Sequence, residues 1–356
     1  MLLRMREMID TTLRLRDCRL WARMLWLAVL VTGLIGVSHD SQAEPLKIRI
    51  GWSSMPAQMI PILYSKPDLL KYYGRSYVVE PVQFKGASAK VIALAADEID
   101  LAVLSPFTLN DAVLNARQDI KVLADVTQDG VGDQYSEAFL VRKDSGIKTL
   151  ADLKGKRIGA AQSGSTLETA LRIMLKKNDL VAKRDYTLVE TNGASMSSLL
   201  EDCKIDIGPV FMPLAEQMLA SGKYDVLFRA KDALGASQYL FLVGRADFLQ
   251  KNRSHLNDFF EDHVRAMRWF MDPANRQEAV QMIGNYLKQP TDRLSYLFTK
   301  ADAYRDPFLV PNVRTLQDTL GVIKDSGLVP SVIQVEPKYV DLSFVEDAKR
   351  RLETKK

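Results

Sequence analysis

Cysteine and histidine are scarce in this 356-residue chain, which has only Cys18, Cys203, His39, His255 and His263. Once the leader described below is removed, Cys203 stands alone, which excludes an internal disulfide and a paired-cysteine metal site. No cysteine follows the N-terminal apolar stretch to carry a lipid. Charge of one sign is also missing. The 48 Lys and Arg against 44 Asp and Glu leave +4, and no basic run is interleaved with aromatics, so a nucleic-acid partner has no support. There is no GxSxG elbow with a nearby histidine. Gly155-Lys156 lies before a strand instead of at a helix start, and Gly159 with Gly164 does not make GxGxxG, so nucleotide-binding loops are excluded as well.

What is present begins with a leader. Arg14, Arg16, Arg19 and Arg23 precede the apolar stretch LWLAVLVTGLIGV at 25–37, and SHDSQA then ends at Ala43. The stretch is too short to span a membrane comfortably, and Ser41-x-Ala43 supplies the small residues of a cleavage site. The expectation is a signal peptide over 1–43 and a mature chain exported to the periplasm, with a net charge of +2 after loss of six Arg and four acidic residues.

An internal repeat organises the mature chain. Arg49-Ile50-Gly51-Trp52 recurs as Arg157-Ile158-Gly159-Ala160, and Gly86-Ala87-Ser88 as Gly193-Ala194-Ser195. Glu98-Ile99-Asp100-Leu101 recurs as Lys204-Ile205-Asp206-Ile207, and Ile120-Lys121-Val122-Leu123 as Tyr224-Asp225-Val226-Leu227. Short apolar strands alternate with helical periodicity, so each unit reads as an α/β lobe with a mainly parallel sheet flanked by helices. The extended segments AFLVR (138–142) and YLFLV (239–243) read as two hinge strands crossing between lobes. The expected domains are therefore 44–141 with 239–356 as lobe 1, including a helical C-terminal tail, and 142–238 as lobe 2.

In such sheets ligands bind beyond the carboxyl ends of the strands. The loops there carry Trp52, Ser53, Ser54, Met55, Ala87, Ser88, Ser105 and Phe107 in the first unit, and Ser163, Ser165, Thr166, Asn192, Phe211 and Met212 in the second. Tyr135 joins them near the first crossing. Ser165 or Thr166 caps the helix that begins there, with Glu168 complementing its dipole. The same free amides suit a carboxylate, sulfonate or phosphate, so residues 163–166 are expected to form half of an anion cradle, with Ser53, Ser54 and Ser88 as the other half. Trp52, Met55, Phe107, Tyr135, Phe211 and Met212 are expected to line an apolar wall around an organic tail of the ligand, about half of them touching it and the others belonging to the lobe cores. Asn192 either donates to the ligand or turns the chain. Asp129, Asp133 and Glu137 read as a solvated loop, with reception of an amine as the alternative; Lys85 reads as a solvated charge. Asp100 and Asp206 read as structural residues at strand starts, and Arg142 as a candidate salt bridge across the hinge. No residue is assigned a catalytic or metal-binding role, and no cofactor is expected.

Gly86-Ala87-Ser88 with Glu98-Ile99-Asp100-Leu101-Ala102, and the run from Val141 through Asp144-Ser145-Gly146 and Leu150-Ala151-Asp152-Leu153 to Gly155-Lys156, resemble the periplasmic solute-binding proteins of ABC importers. The likeness covers about 45–300, in the branch associated with nitrate, sulfonates, taurine and thiamine precursors. It implies a two-lobe fold of type II-like binding proteins and a monomer. It also implies a ligand held between the lobes and delivered to the transmembrane subunits of a permease. Enzymes resembling this family, sulfinate-cleaving or pyrimidine-forming, and a ligand-sensing subunit for a receptor are the alternatives. Enzymes of that kind call for a cysteine or histidine in the cleft, and the cleft loops have neither.

Overall fold

A computed structural model describes residues 44–191 and 193–354. The expected leader at 1–43 and Asn192 lie outside the described residues. The first repeat unit runs β1 (Leu46–Trp52), α1 (Ile60–Leu63), β2 (Tyr77–Gln83), α2 (Ala87–Ala95), β3 (Leu101–Leu104), α3 (Pro106–Leu114) and β4 (Ile120–Asp129). The chain then enters β5 (Ala138–Arg142), followed by β6 (Lys156–Ala160), α4 (Thr166–Lys177), β7 (Tyr186–Glu190), α5 (Gly193–Glu201), β8 (Ile207–Val210), α6 (Leu214–Ala220), β9 (Tyr224–Arg229) and α7 (Ala230–Leu234). It continues through β10 (Ser237–Arg245) into α8 (Ala246–Lys251), α9 (Arg253–Met271), α10 (Arg276–Leu287), α11 (Val313–Asp325) and α12 (Ser343–Glu353).

The described residues form two five-stranded sheets, ordered β2-β1-β3-β10-β4 and β7-β6-β8-β5-β9. In each, the fourth strand in that order runs antiparallel to its two neighbours, and β1 and β6 pair in parallel on both sides. The two sheets have the same plan, with β1 to β4 answering β6 to β9 and each antiparallel strand contributed by the other end of the repeat. This moves the expected lobe boundaries. Residues 138–141, assigned from sequence to lobe 1, pair with β8 and β9 in the second sheet, and Ser237 and Gln238, assigned to lobe 2, pair with β4 in the first. The connections between the sheets are therefore 130–137 and 235–236. Arg142 does not bridge a hinge; it donates to the carbonyls of Leu200 and Ile205 within its own lobe, at 3.0 and 3.2 Å.

The repeat is held twice by the same clasp. Asp100 accepts from the Arg49 backbone N–H at 2.8 Å and from its guanidinium Nε and Nη2 at 3.0 and 2.7 Å. Asp206 does the same for Arg157 at 2.8, 3.3 and 3.2 Å. The glycines next to the clasps are required by close approach. A Cβ on Gly51 would lie 2.6 Å from Ile99 Cδ1, and one on Gly159 would lie 2.7 Å from Ile205 Cδ1. Overpacking of this kind costs about 1–3 kcal/mol. Gly51→Ala is therefore expected to be destabilising, and adding Ile99→Val, which removes the obstructing methyl, is expected to recover about 1 kcal/mol relative to the sum of the single changes in a urea-melt cycle.

Two large apolar clusters fill the interior. One surrounds α9 beneath the first sheet, with Ile48, Ile50, Phe259, Phe260 and Phe344 fully buried. The other continues from Leu109 and Ala112 of α3 to Leu167 and Ala170 of α4, so the lobes share a continuous core along that side. In the tail, α11 packs on β10 of the first sheet and α12 on α9. Among the described residues no helix is long and apolar enough to cross a membrane.

Candidate ligand-binding cleft

The end of β1 is tied down through its backbone. Phe84 N–H donates to the Trp52 carbonyl at 2.8 Å, Ser53 N–H to Gln58 Oε1 at 2.9 Å, and Gln83 Nε2 to the Ser53 carbonyl at 3.3 Å. The side chains at this end are not satisfied. Trp52 is 5 % exposed and its indole Nε1 has no partner, nor has the buried hydroxyl of Ser53. Ser54 is exposed, and Met55 is half-buried against the first-lobe cluster. Ala87 and Ser88 open α2, whose N-cap, Gly86, supplies no side-chain cap.

The polar loop at 162–166 faces these residues. Gly164 has φ +77°, and a Cβ there would lie 3.1 Å from Thr108 Cγ2, 3.4 Å from Ser88 Oγ and 3.8 Å from Phe107. Glycine is thus needed both for the left-handed backbone and for the approach of the lobes. Ser105 caps α3 in a capping box with Thr108, and its hydroxyl donates to the Gly164 carbonyl at 2.9 Å. Two hydroxyls of the expected cradle also have protein partners. Ser165 Oγ accepts the Glu168 N–H at 3.2 Å, and Thr166 Oγ1 donates to the Tyr239 carbonyl at 3.1 Å. Ser163 is exposed, with its amide donated to Glu190 Oε1 at 3.2 Å. Phe211 is half-buried against the shared core, while Met212 packs between the second lobe and the cluster around α9. The structure thus brings Ser88, Ser105 and Phe107 together with 163–166, and spends most of these hydroxyls on caps and on contact between lobes.

The acidic segment departs further from expectation. Asp129 is 3 % exposed, accepts from Ser136 Oγ at 2.6 Å and from Glu137 N–H at 3.0 Å, and is pushed up to about 6 by burial. The Glu137 carboxyl is pushed up to about 8 by burial and by the charges of Asp129 and Asp302, which Arg229 partly offsets, and its Oε2 has no partner. Only Asp133 is solvated, paired with Lys300. The solvated-loop reading is therefore corrected for Asp129 and Glu137. A side chain stranded without water is driven toward its neutral form, which raises a carboxyl pKa. Tyr135 lies beside this pair, its ring 5.7 Å from the Arg229 guanidinium and its buried hydroxyl unpartnered. Burial raises the phenols of Tyr135, Tyr239 and Tyr296, and the Glu137 charge adds to each. Tyr239 and Tyr296 were not legible as site residues, because a lone tyrosine on a strand or in a tail reads as core. Lys85 is exposed as expected. Among the described residues no group of His, Cys, Asp and Glu is arranged to hold a metal.

Comparison with known proteins places this architecture. A model of the NMT1-like family matches residues 41–284. The chain belongs to the NMT1-like family. Solved structures of similar fold include the alkanesulfonate-binding protein SsuA of Xanthomonas axonopodis pv. citri bound to MOPS, at TM-score 0.63 and 20 % identity over 83 % of this chain and 98 % of that one. The periplasmic nitrate-binding protein NrtA of Synechocystis PCC 6803 matches at TM-score 0.65 and 14 % identity, over 87 % and 90 %. The desulfurization enzyme DszB matches at TM-score 0.59 and 14 % identity, over 86 % and 99 %. This NMT1-like chain therefore has the α/β fold of the periplasmic binding proteins, a fold that also carries an enzyme.

Proposed function

We propose that this chain is the substrate-binding component of an ABC-type importer, capturing a small organic anion or zwitterion between its lobes and delivering it to a membrane permease. The observation that carries the reading is a group of four buried polar atoms without partners: Trp52 Nε1 and Ser53 Oγ at the end of β1, and Tyr135 OH and Glu137 Oε2 in the 130–137 connection between the sheets. Each such group costs about 1–3 kcal/mol when left unmade, and native proteins leave few of them. A ligand that satisfies them recovers that cost and gains binding energy from groups already in place. The family membership and the sulfonate- and nitrate-binding proteins of the same fold support the reading, as does the start of the family match at residue 41, beside the expected cleavage site.

The test is a thermal-shift screen of the protein after unfolding and refolding to strip bound cargo. The panel is taurine, alkane- and arylsulfonates, carboxylates, nitrate and pyrimidines. A ligand at a hundredfold excess over its Kd stabilises the folded state by about 2.7 kcal/mol, expected here as a rise of about 5 °C. No rise with any compound contradicts the reading. Loss of the ligand with appearance of a product would instead favour an enzyme of the DszB kind.

Glu137 favours the zwitterion. Its carboxyl is mostly protonated at pH 7, because burial holds it near 8. Pairing with an ammonium requires the carboxylate, so binding below pH 8 releases a proton and strengthens as pH rises toward 8. The ratio of taurine to ethanesulfonate affinity, which cancels the shared sulfonate, is expected to rise about tenfold from pH 6 to 7 and about fivefold from pH 7 to 8. It is expected to be flat in Glu137→Gln. A flat ratio in the parent protein assigns the amine no role at Glu137.

A further inference from the structure

Lys90 lies one turn into α2, in the run ASAKVIALA, and is 2 % exposed. An ammonium removed from water is expensive unless it is paired, and lysine is almost never fully buried otherwise. No carboxylate acts on Lys90, and burial alone pushes its ammonium down to about 7.

The repeat shows what the position ordinarily holds. Aligning the units through Ile99 and Ile205 sets Lys90 opposite Met196. Lys90 Cγ lies 3.4 Å from the point where a Gly51 Cβ would stand, and Met196 Sδ lies 2.6 Å from the corresponding point on Gly159. In the second lobe an apolar side chain covers the strand glycine. In the first, a lysine stem makes the same cover and carries a charge further along.

Three observations give the direction of that charge. Side chains on a helix lean toward its N-terminus, and a long one at Lys90 leans toward Ala87 and Ser88. That end of α2 meets the second lobe, with Gln162 Oε1 3.7 Å from the Cβ point of Gly86 and Ser88 Oγ 3.4 Å from that of Gly164. Strand alternation places Ser53 on the same face of β1 as Gly51, which Lys90 covers, and the Ser53 hydroxyl is buried without a partner. A lysine with a buried stem and no carboxylate partner thus leans, by helix geometry, toward the end of the strand that carries an unpaired buried hydroxyl, beside the uncapped amides of α2.

We propose that Lys90 supplies the positive charge of an anion subsite at the end of β1, receiving the sulfonate or carboxylate of the ligand together with the Ser53 hydroxyl. This rests on the proposed function and gives it a buried lysine, where the strand-end loop after β2 offers the exposed Lys85. The ligand's negative charge then takes the place of the missing carboxylate, and a charge-assisted hydrogen bond in a dry site is among the strong ones.

The test uses Lys90→Met, which installs the residue the other repeat carries, with methanesulfonate, ethanesulfonate, taurine, acetate and sulfate as probes. The variant is expected to melt at or above the parent temperature, because an uncompensated buried charge has been replaced by an apolar side chain. Anion affinity is expected to fall about 10- to 100-fold. As a measurement independent of the variant's folding, the 13Cε resonance of Lys90 in the parent protein is expected to move on addition of the probe that binds best. Parent-like anion affinity in Lys90→Met, or a Lys90 resonance unmoved at saturation, overturns the subsite and leaves the functional reading intact. A parent protein that binds none of these small anions overturns the subsite, and the functional reading then stands or falls on the wider thermal-shift panel.

Discussion

Asp100→Ala is expected to lower the unfolding free energy by about 3–5 kcal/mol, and Asp206→Ala by about 1–2 kcal/mol, although the two residues hold the same place in the repeat. The clasps are alike in their bonds but differ in their surroundings. The Asp100 side chain is 3 % exposed and its partner Arg49 30 %; the corresponding values for Asp206 and Arg157 are 14 % and 48 %. The Arg245 guanidinium adds a second cation 3.9 Å from Asp100, whereas among the described residues Arg157 is the one cation in ion-pair contact with Asp206. Removing Asp100 therefore strands the Arg49 N–H beside a buried hole and leaves the Arg49 and Arg245 guanidinium groups with only the exposed Asp97 carboxylate between them. Removing Asp206 exposes a pair that water already reaches, where an ion pair contributes little. Urea denaturation of the two single variants measures both costs. Equal losses would mean that burial does not set the strength of the clasp.

Phe259→Ala is expected to cost about 3–5 kcal/mol. Phe259 is fully buried on α9, and its ring lies 4.9–6.0 Å from Phe260, His263, Tyr77 and Tyr64. His263 in turn is hydrogen-bonded through Nδ1 to the Tyr64 hydroxyl at 2.7 Å, and burial pushes its imidazole down to about 4. The cluster joins β2, the segment after β1 and α9, so a cavity there loosens the tail from the first sheet. A drop in urea midpoint with loss of near-ultraviolet circular dichroism is the expected signature. A loss under about 1 kcal/mol would show that the neighbouring rings collapse into the space.

The repeat was legible because its landmarks are local. Arg49 and Asp100 must meet across adjacent parallel strands, and Gly51 must admit Ile99, so the same residues recur in order at Arg157, Asp206, Gly159 and Ile205. The exchange of β5 and β10 between sheets was half legible. AFLVR and YLFLV announce two strands, but an apolar strand suits either sheet, and the choice between β8 and β3 as partner is made by tertiary packing. The hydroxyl loops were legible as loops and not as to their use. A serine at a helix start caps the helix and can equally meet a ligand, and only the structure shows Ser165 and Ser105 committed to caps. Lys90 was hidden by the ordinary expectation that a lysine in a helix is solvated. The signal was only half available, because the Ile99 and Ile205 landmarks pair Lys90 with Met196 whereas the Gly86 and Gly193 landmarks pair it with Ser197. Asp129 and Glu137 were hidden in the same way, because three acids beside two glycines read as a surface turn.

The central claim is that both lobes close on one small anion or zwitterion. Hydrogen–deuterium exchange of the refolded protein, with and without the compound that gives the largest thermal shift, tests it most directly. The account predicts slowed exchange in 52–55 and 86–90 of the first lobe and in 162–166 of the second, all in the same titration. Protection confined to one lobe, or to the C-terminal helices, would contradict it.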